Sequence, residues 1–235
     1  MNDALLISFA AGFATLAGAL AVLAAPEMSR KSFGFFLGLA AGVMTAVVLF
    51  DLFPSVLARL ECGGFFIGFG AAWFGMILLQ QALPASAGAA DNYRRMGFLI
   101  MAGIALHDLP EGMAIALGQE VSEKIGLSIA LGIGIHNIPE GMVVAAPMLL
   151  ANRPRWLIAL EVAAVALVTP LGTLLGEVLT RWFPGYFPVL TGVAAGVMVF
   201  LVLRQLWPEA VALRSRWRYL GLIAGILVIA LATFM

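Results

Sequence analysis

The stretch HDLPEGMAIALGQEVSEKIGLSIALGIGIHNIPEGM, residues 107–142, contains both histidines of the chain. They occupy two copies of one pattern. His107-Asp108-Leu109-Pro110-Glu111-Gly112-Met113 is followed, 29 positions on, by His136-Asn137-Ile138-Pro139-Glu140-Gly141-Met142. Each copy lies near the middle of an apolar run, about 96–118 and about 125–150, of the roughly 20 residues that a bilayer-spanning helix requires. An ionisable side chain at that depth is costly without a partner and marks a functional site.

The spacing within each copy carries chemistry. At roughly 100° per residue, with His107 at zero, Asp108 falls near 100° and Glu111 near 40°, so Glu111 lies between the other two on one helix face. Glu140 lies likewise between His136 and Asn137. Two such faces turned toward each other make a cluster of two histidines and two glutamates, with Asp108 and Asn137 beside it and the glutamates placed to bridge two metal positions. Imidazole and carboxylate together suit borderline cations such as Zn²⁺, Fe²⁺, Co²⁺ or Mn²⁺. Pro110 and Pro139 cannot donate to the carbonyls of Leu106 and Ile135, which predicts kinks that free backbone oxygens at the depth of the site. The glycines that follow let a neighbouring backbone come close. The competing reading, satisfied core histidines with structural glutamates, leaves the equivalence of the two copies unexplained.

The rest of the chain agrees with a membrane setting. Of 235 residues, 63% are hydrophobic and 11% charged, with a mean hydropathy of +1.04; soluble domains carry about 25% charged residues. Thirteen basic residues balance 13 acidic ones, which excludes a basic nucleic-acid binder. The single cysteine, Cys62, excludes a disulfide framework or thiolate cluster. Charges and turn residues divide the chain into eight predicted spans, about 4–25, 32–56, 62–83, 96–118, 125–150, 156–180, 187–206 and 218–235. The first has no basic residue before it, only Asp3, and is expected to be a retained helix rather than a signal peptide. The spans account for the whole length, without a separate soluble domain. Trp73, Trp156, Trp182, Trp207 and Trp217 read as an interfacial belt.

Basic residues set the expected orientation. Arg30, Lys31, Arg94, Arg95, Arg153, Arg155, Arg204, Arg214, Arg216 and Arg218 fall on one side, and only Arg59, Lys124 and Arg181 on the other. The first side is expected to face the cytoplasm, which places both termini outside.

An internal repeat also emerges. GLAAGVMTAVVLFDLFPSVL (38–57) aligns without a gap on GVAAGVMVFLVLRQLWPEAV (192–211), pairing Gly38 with Gly192, Gly42 with Gly196, Met44 with Met198 and Pro54 with Pro208. The same offset of 154 pairs Thr15 with Thr169 and Gly18 with Gly172. Spans one to three (about 1–83) then correspond to spans six to eight (about 155–235), in opposite orientation, around the motif-bearing pair (about 96–150). Inverted repeats of this kind are characteristic of secondary transporters with a site near the midplane.

These motifs resemble those of the ZIP (Zrt/Irt-like) family of divalent-metal transporters, particularly its bacterial members. The resemblance rests on the paired HxxPEG motifs and on GLAAGVM ending in Asp51-Leu52-Phe53-Pro54 and GVAAGVM ending in Leu206-Trp207-Pro208-Glu209. It implies an all-α membrane protein of eight helices in a three-plus-two-plus-three arrangement. It further implies a location in the inner (plasma) membrane, frequent homodimerisation, and uptake of Zn²⁺ or related Fe²⁺, Mn²⁺, Co²⁺ or Cd²⁺ toward the cytoplasm. The metal is cargo, and no cofactor is implied. Carried over by position, His107, Glu111, His136 and Glu140 match the family's first metal position, and Asp108, Glu111, Asn137 and Glu140 its second. The chain departs from many relatives in having Asp108 rather than Asn, and Thr169 where a Glu before Pro170 is usual. The first change favours harder, oxygen-seeking cations; the second removes a carboxylate.

Four further residues, Asp51, Glu161, Thr169 and Glu209, are candidates along a pathway. Asp51 either attracts cations near the outer end of span two or is a satisfied interfacial carboxylate. Glu209, at the cytoplasmic end of span seven, could aid release. Glu161, two turns from Thr169, either serves as an exit ligand or pairs with a loop arginine. Besides transport, two functions compete. An intramembrane metal-dependent hydrolase would need an open ligand position to activate water, but the chain has no H-E-x-x-H and no serine or cysteine nucleophile near the motifs. A metal-stabilised structural protein would need closed coordination.

Overall fold

The computed structural model describes residues 3–25, 27–58, 61–84, 88–182 and 185–234. Arg59 and the side chains of Arg181 and Trp182, used above for orientation and the aromatic belt, lie outside the described residues. Eight described helices are long and apolar enough to cross a membrane: α1 (Asp3–Leu23), α2 (Arg30–Leu57), α3 (Cys62–Ala82), α4 (Ala89–Val121), α5 (Glu123–Leu150), α6 (Arg155–Leu179), α7 (Phe187–Ala212) and α8 (Trp217–Phe234). The described residues contain no strand. The chain is an all-α, multi-pass membrane protein.

The predicted spans hold to within a few residues except at two ends. α4 starts at Ala89 rather than near 96, because its first turns are polar and hydropathy does not register them. There the Asn92 N–H donates to the Gly88 carbonyl at 3.0 Å and Arg94 pairs with Asp91 at 3.1 Å. α7 continues past the expected end near residue 206 to Ala212.

Proline shapes the flanking helices more than the motif helices. Pro54 and Pro208 have no N–H for the carbonyls four residues back. Just before each, the helix widens into a π turn, Val48–Leu52 in α2 and Val202–Leu206 in α7. The N–H of Phe53 reaches Val48, and that of Trp207 reaches Val202, five residues away instead of four. These two turns fall at the same positions under the offset of 154. α6 is interrupted at Leu167, just before Pro170. α4 and α5, by contrast, run unbroken through Pro110 and Pro139.

The helices pack chiefly in pairs: α1 on α5, α4 on α6, α2 on α8 and α3 on α7, with α4 and α5 against each other at the centre. Lipid is as apolar as a leucine side chain, so close backbone approach through small residues holds such pairs together. The motif glycines are two of these contacts. A Cβ on Gly141 would stand 1.8 Å from the Thr15 carbonyl oxygen of α1, and one on Gly112 would stand 1.9 Å from that of Thr169 in α6. Gly18 against the Ile138 carbonyl and Gly172 against the Leu109 carbonyl complete the two contacts from the other side. α3 and α8 lie outermost and turn Phe66, Ile67, Phe74, Leu220 and Ile223 outward, as lipid-facing helices do. Trp73 departs from the expected belt: it sits mid-α3, half-buried against Phe69 and Phe200.

Candidate metal centre

The six motif side chains converge where α4 meets α5. His107, Asp108, Asn137 and Glu140 have no solvent exposure, and Glu111 and His136 have 5% each. The glutamates pair across the helices. Glu111 of α4 places both carboxylate oxygens 3.1 Å from His136 Nε2, and Glu140 of α5 places Oε2 3.1 Å from His107 Nε2. Helix geometry set each glutamate between its own motif's histidine and the adjoining polar residue, and that face is what meets the other helix. Asp108 Oδ1 lies 3.5 Å from His107 Nε2.

The surrounding backbone orients the donors. His107 Nδ1 lies 3.1 Å from the Gly103 carbonyl, one turn back, and can only donate to it. That directs the Nε2 lone pair of the neutral ring toward the carboxylates, a common way of fixing a metal-ligating imidazole. Asn137 donates its Nδ2–H to the Ala11 carbonyl of α1 at 3.0 Å, which turns Oδ1 the other way. Thr173 donates to the Gly112 carbonyl at 3.0 Å and so ties α6 to the first motif.

Four oxygens in this cluster are buried without a hydrogen-bond partner: both of Asp108, Oε1 of Glu140 and Oδ1 of Asn137. Leaving such groups unpaired in an apolar interior is costly, and a cation removes the cost. One ligand atom each from His107, Asp108 and Glu111 lies within 4.8 Å of the others. A metal with bonds of about 2.1 Å holds even opposite ligand atoms about 4.2 Å apart, so closure on an ion needs only small side-chain shifts. The donor set of two imidazoles, three carboxylates and one carboxamide fits borderline to hard divalent cations and offers no soft sulfur.

A cavity of about 350 Å³ leads to one side of this cluster. It runs between α2, α4, α5, α7 and α8, is mostly apolar, and is lined by Asp51, Ser128, Thr191 and Thr233 as well as by Glu111 and His136. Asp51 is exposed, and its Oδ1 accepts a 2.8 Å hydrogen bond from Thr233. Asp108, Asn137, Glu140 and His107 are not on its lining. The other pathway candidates lie elsewhere. Glu209 borders two cavities at the Ala212 end of α7, remote from the Phe187 end that lines the first. Glu161 is ion-paired with Arg153, whose guanidinium lies 5.1 Å from the centre of the Phe98 ring. Thr169 is buried against Gly12, and its hydroxyl has no hydrogen-bond partner.

Sequence reasoning did not single out Thr15 as a site residue, although it pairs with Thr169 in the repeat. Its hydroxyl too is buried and unpartnered, and that equivalence was the available signal. The carbonyls of Gly103 and Ala11 left no signal, because the residues that present them are chemically plain.

Eight described helices long and apolar enough to span a membrane, with a buried His–Glu–Asp cluster where α4 meets α5, define a polytopic membrane protein. Comparison with known proteins gives the family. Residues 79–233 match the family model of the ZIP zinc transporters. The chain is 32% identical over 260 aligned positions to the zinc transporter ZupT of Chlorobium luteolum, covering 99% of this chain and 97% of that protein. It is 30% identical over 236 positions to the zinc transporter ZTP29 of Arabidopsis thaliana, covering 89% and 85%. It is also 30% identical over 225 positions to the ZupT of an Escherichia coli strain, covering 89% and 87%. The chain belongs to the ZIP family, a family of transporters rather than enzymes.

Proposed function

We propose that this protein carries divalent transition-metal ions across the plasma membrane toward the cytoplasm, through a two-ion site made by His107, Asp108, Glu111, His136, Asn137 and Glu140. The four unpartnered oxygens in a fully buried cluster are the observation that carries the reading. Three carboxylates at one place exceed the charge of a single divalent ion, which favours two ions sharing the glutamates. The names of the relatives make Zn²⁺ the first ion to test, while the Asp108 carboxylate favours harder ions such as Mn²⁺ and Fe²⁺ beside it. Flux of Zn²⁺, Cd²⁺, Mn²⁺ and Fe²⁺ into proteoliposomes tests the reading. No flux of any of the four, together with metal binding that survives Glu111→Ala, would overturn it.

The inverted repeat, and with it the division into about 1–83, 96–150 and 155–235, belongs to the same proposal. Paired features support it: the π turns at Val48–Leu52 and Val202–Leu206, and the reciprocal contacts Gly18–Ile138 and Gly172–Leu109. Both termini outside the cytoplasm and a homodimeric assembly complete the proposal. The basic-residue count supports the orientation, and family likeness supports the dimer.

Two predictions concern selectivity and capture. Asp108→Asn removes a carboxylate with two unpartnered oxygens, so the ratio of Mn²⁺ to Zn²⁺ flux is expected to fall by about tenfold, roughly 1.4 kcal/mol of differential binding; Thr169→Glu is expected to shift the ratio again. An unchanged ratio in a metal panel would remove Asp108 from the ligand set. Asp51→Asn keeps the hydrogen bond from Thr233 but removes the charge. The half-saturating metal concentration is expected to rise several-fold, on the order of 1 kcal/mol, at unchanged maximal flux and with less effect at high salt. We propose Glu209 as a group that aids release at the far end; Glu161, held by Arg153, serves better as a structural pair.

A further inference from the structure

At the Ala212 end of α7, well away from the His–Glu cluster, a cavity of about 460 Å³ lies between the start of α4, the last turns of α7 and Gln80 of α3. Gln80, Asn92, Tyr93, Arg95, Arg204 and Gln205 supply most of its polar lining, and Glu209 is the one carboxylate there. Tyr93 and Glu209 share this lining and that of a smaller neighbouring cavity. Arg95 donates one N–H to the Gln80 carbonyl, while its Nε is buried without a partner. Arg204, on the π turn of α7, is exposed, and its guanidinium makes no ion pair or hydrogen bond with another described residue.

Two arginines from different helices thus line one cavity that holds a single carboxylate. An anion between them would offset the positive charge of both groups. Phosphate oxygens match the planar fork of arginine and bind it bidentately, and the Asn92 and Gln205 amides on the same lining can donate to further oxygens. α3 packs on α7 and barely touches α4, and the cavity lies near the ends of these three helices. Basic clefts between spanning helices at that depth recognise phospholipid headgroups.

We propose that this cavity is a binding site for a phosphate-bearing anion, held between Arg95 and Arg204, with the chemistry shared by an anionic phospholipid headgroup and free phosphate. The site lies apart from the His–Glu cluster and shares only Glu209 with the proposed release route; its test reads anion binding rather than metal flux.

Native mass spectrometry of the purified full-length protein mixed with phosphatidylglycerol or phosphatidylcholine tests it, with inorganic phosphate as a competitor. Wild-type protein is expected to retain phosphatidylglycerol about tenfold better than phosphatidylcholine, or else to bind inorganic phosphate with a rise in thermal stability. Competition by millimolar phosphate assigns the site to the soluble anion; retention unaffected by phosphate assigns it to the lipid. The Arg95→Gln/Arg204→Gln variant is expected to lose the preference, and Arg204→Lys to keep part of it. Arg204→Gln alone, a change at an exposed and unpartnered residue, keeps the test sound should the double variant prove unstable; a loss of about threefold or more is expected. Equal retention of both lipids with no response to phosphate, or an undiminished preference in the arginine variants, would overturn the proposal.

Discussion

Glu111→Ala is expected to lower Zn²⁺ flux into proteoliposomes by about 100-fold or more, beyond the 10–100-fold typical when a group merely supporting a metal ligand is removed. Three effects converge on this side chain. Both its oxygens contact His136 Nε2 at 3.1 Å, so truncation leaves a buried imidazole nitrogen without a partner. The same carboxylate belongs to the group with His107 and Asp108, so under the proposed two-ion reading both metal positions lose a shared ligand together. It also lines the approach cavity, so an arriving ion loses the first carboxylate of the cluster it meets. Glu111→Gln separates charge from packing: it keeps the shape and one acceptor, and flux is expected to fall nearly as far. Flux within threefold of wild type in both variants would show that the ion does not pass this residue.

Gly141→Ala is expected to be as damaging, by a different route. The new methyl group would stand 1.8 Å from the Thr15 carbonyl oxygen and 2.9 Å from the Ala19 nitrogen. Carbon–oxygen contacts settle at about 3.3 Å or more, so α1 and α5 would have to separate by about 1.5 Å. Overpacking on that scale costs typically about 1–3 kcal/mol. The displacement also reaches the site, because Gly141 directly follows Glu140, whose carboxylate must stay 3.1 Å from His107. Lower thermal stability in detergent and loss of flux are both expected. Gly134→Ala on the same helix is the control: its nearest neighbour would be the Ala11 Cα at 3.6 Å, an ordinary contact. Equal tolerance of both substitutions would show that the α1–α5 contact is looser than described.

Much of this arrangement is written plainly in the chain. Membrane spans are legible because hydrocarbon admits few charges, and the central pair is legible because His107, Glu111, His136 and Glu140 break that rule at matched positions. Their meeting on one face follows from helical spacing alone. Other features depend on three-dimensional proximity and leave no one-dimensional trace. Nothing near Gly103 or Ala11 announces a carbonyl that orients a ligand, since every residue has one. The prolines drew attention to Pro110 and Pro139, yet the wide turns precede Pro54 and Pro208. Whether a helix absorbs a proline or widens before it depends on the neighbours it packs against, which hydropathy does not encode. Hydropathy also stops α7 near residue 206, although the backbone carries on helically to Ala212.

The one-sided approach to the cluster has a consequence for traffic. Glu111 and His136 border the cavity, whereas Asp108 and Glu140 stand behind them. Under the proposed two-ion reading the positions therefore fill in order, like berths along a narrow quay, and an ion moored firmly at the front bars every later arrival. A metal that prefers the histidine berth and leaves it slowly would then act as a plug, even when its own passage is negligible. Competition between metals would be decided by departure from the front berth rather than by total affinity.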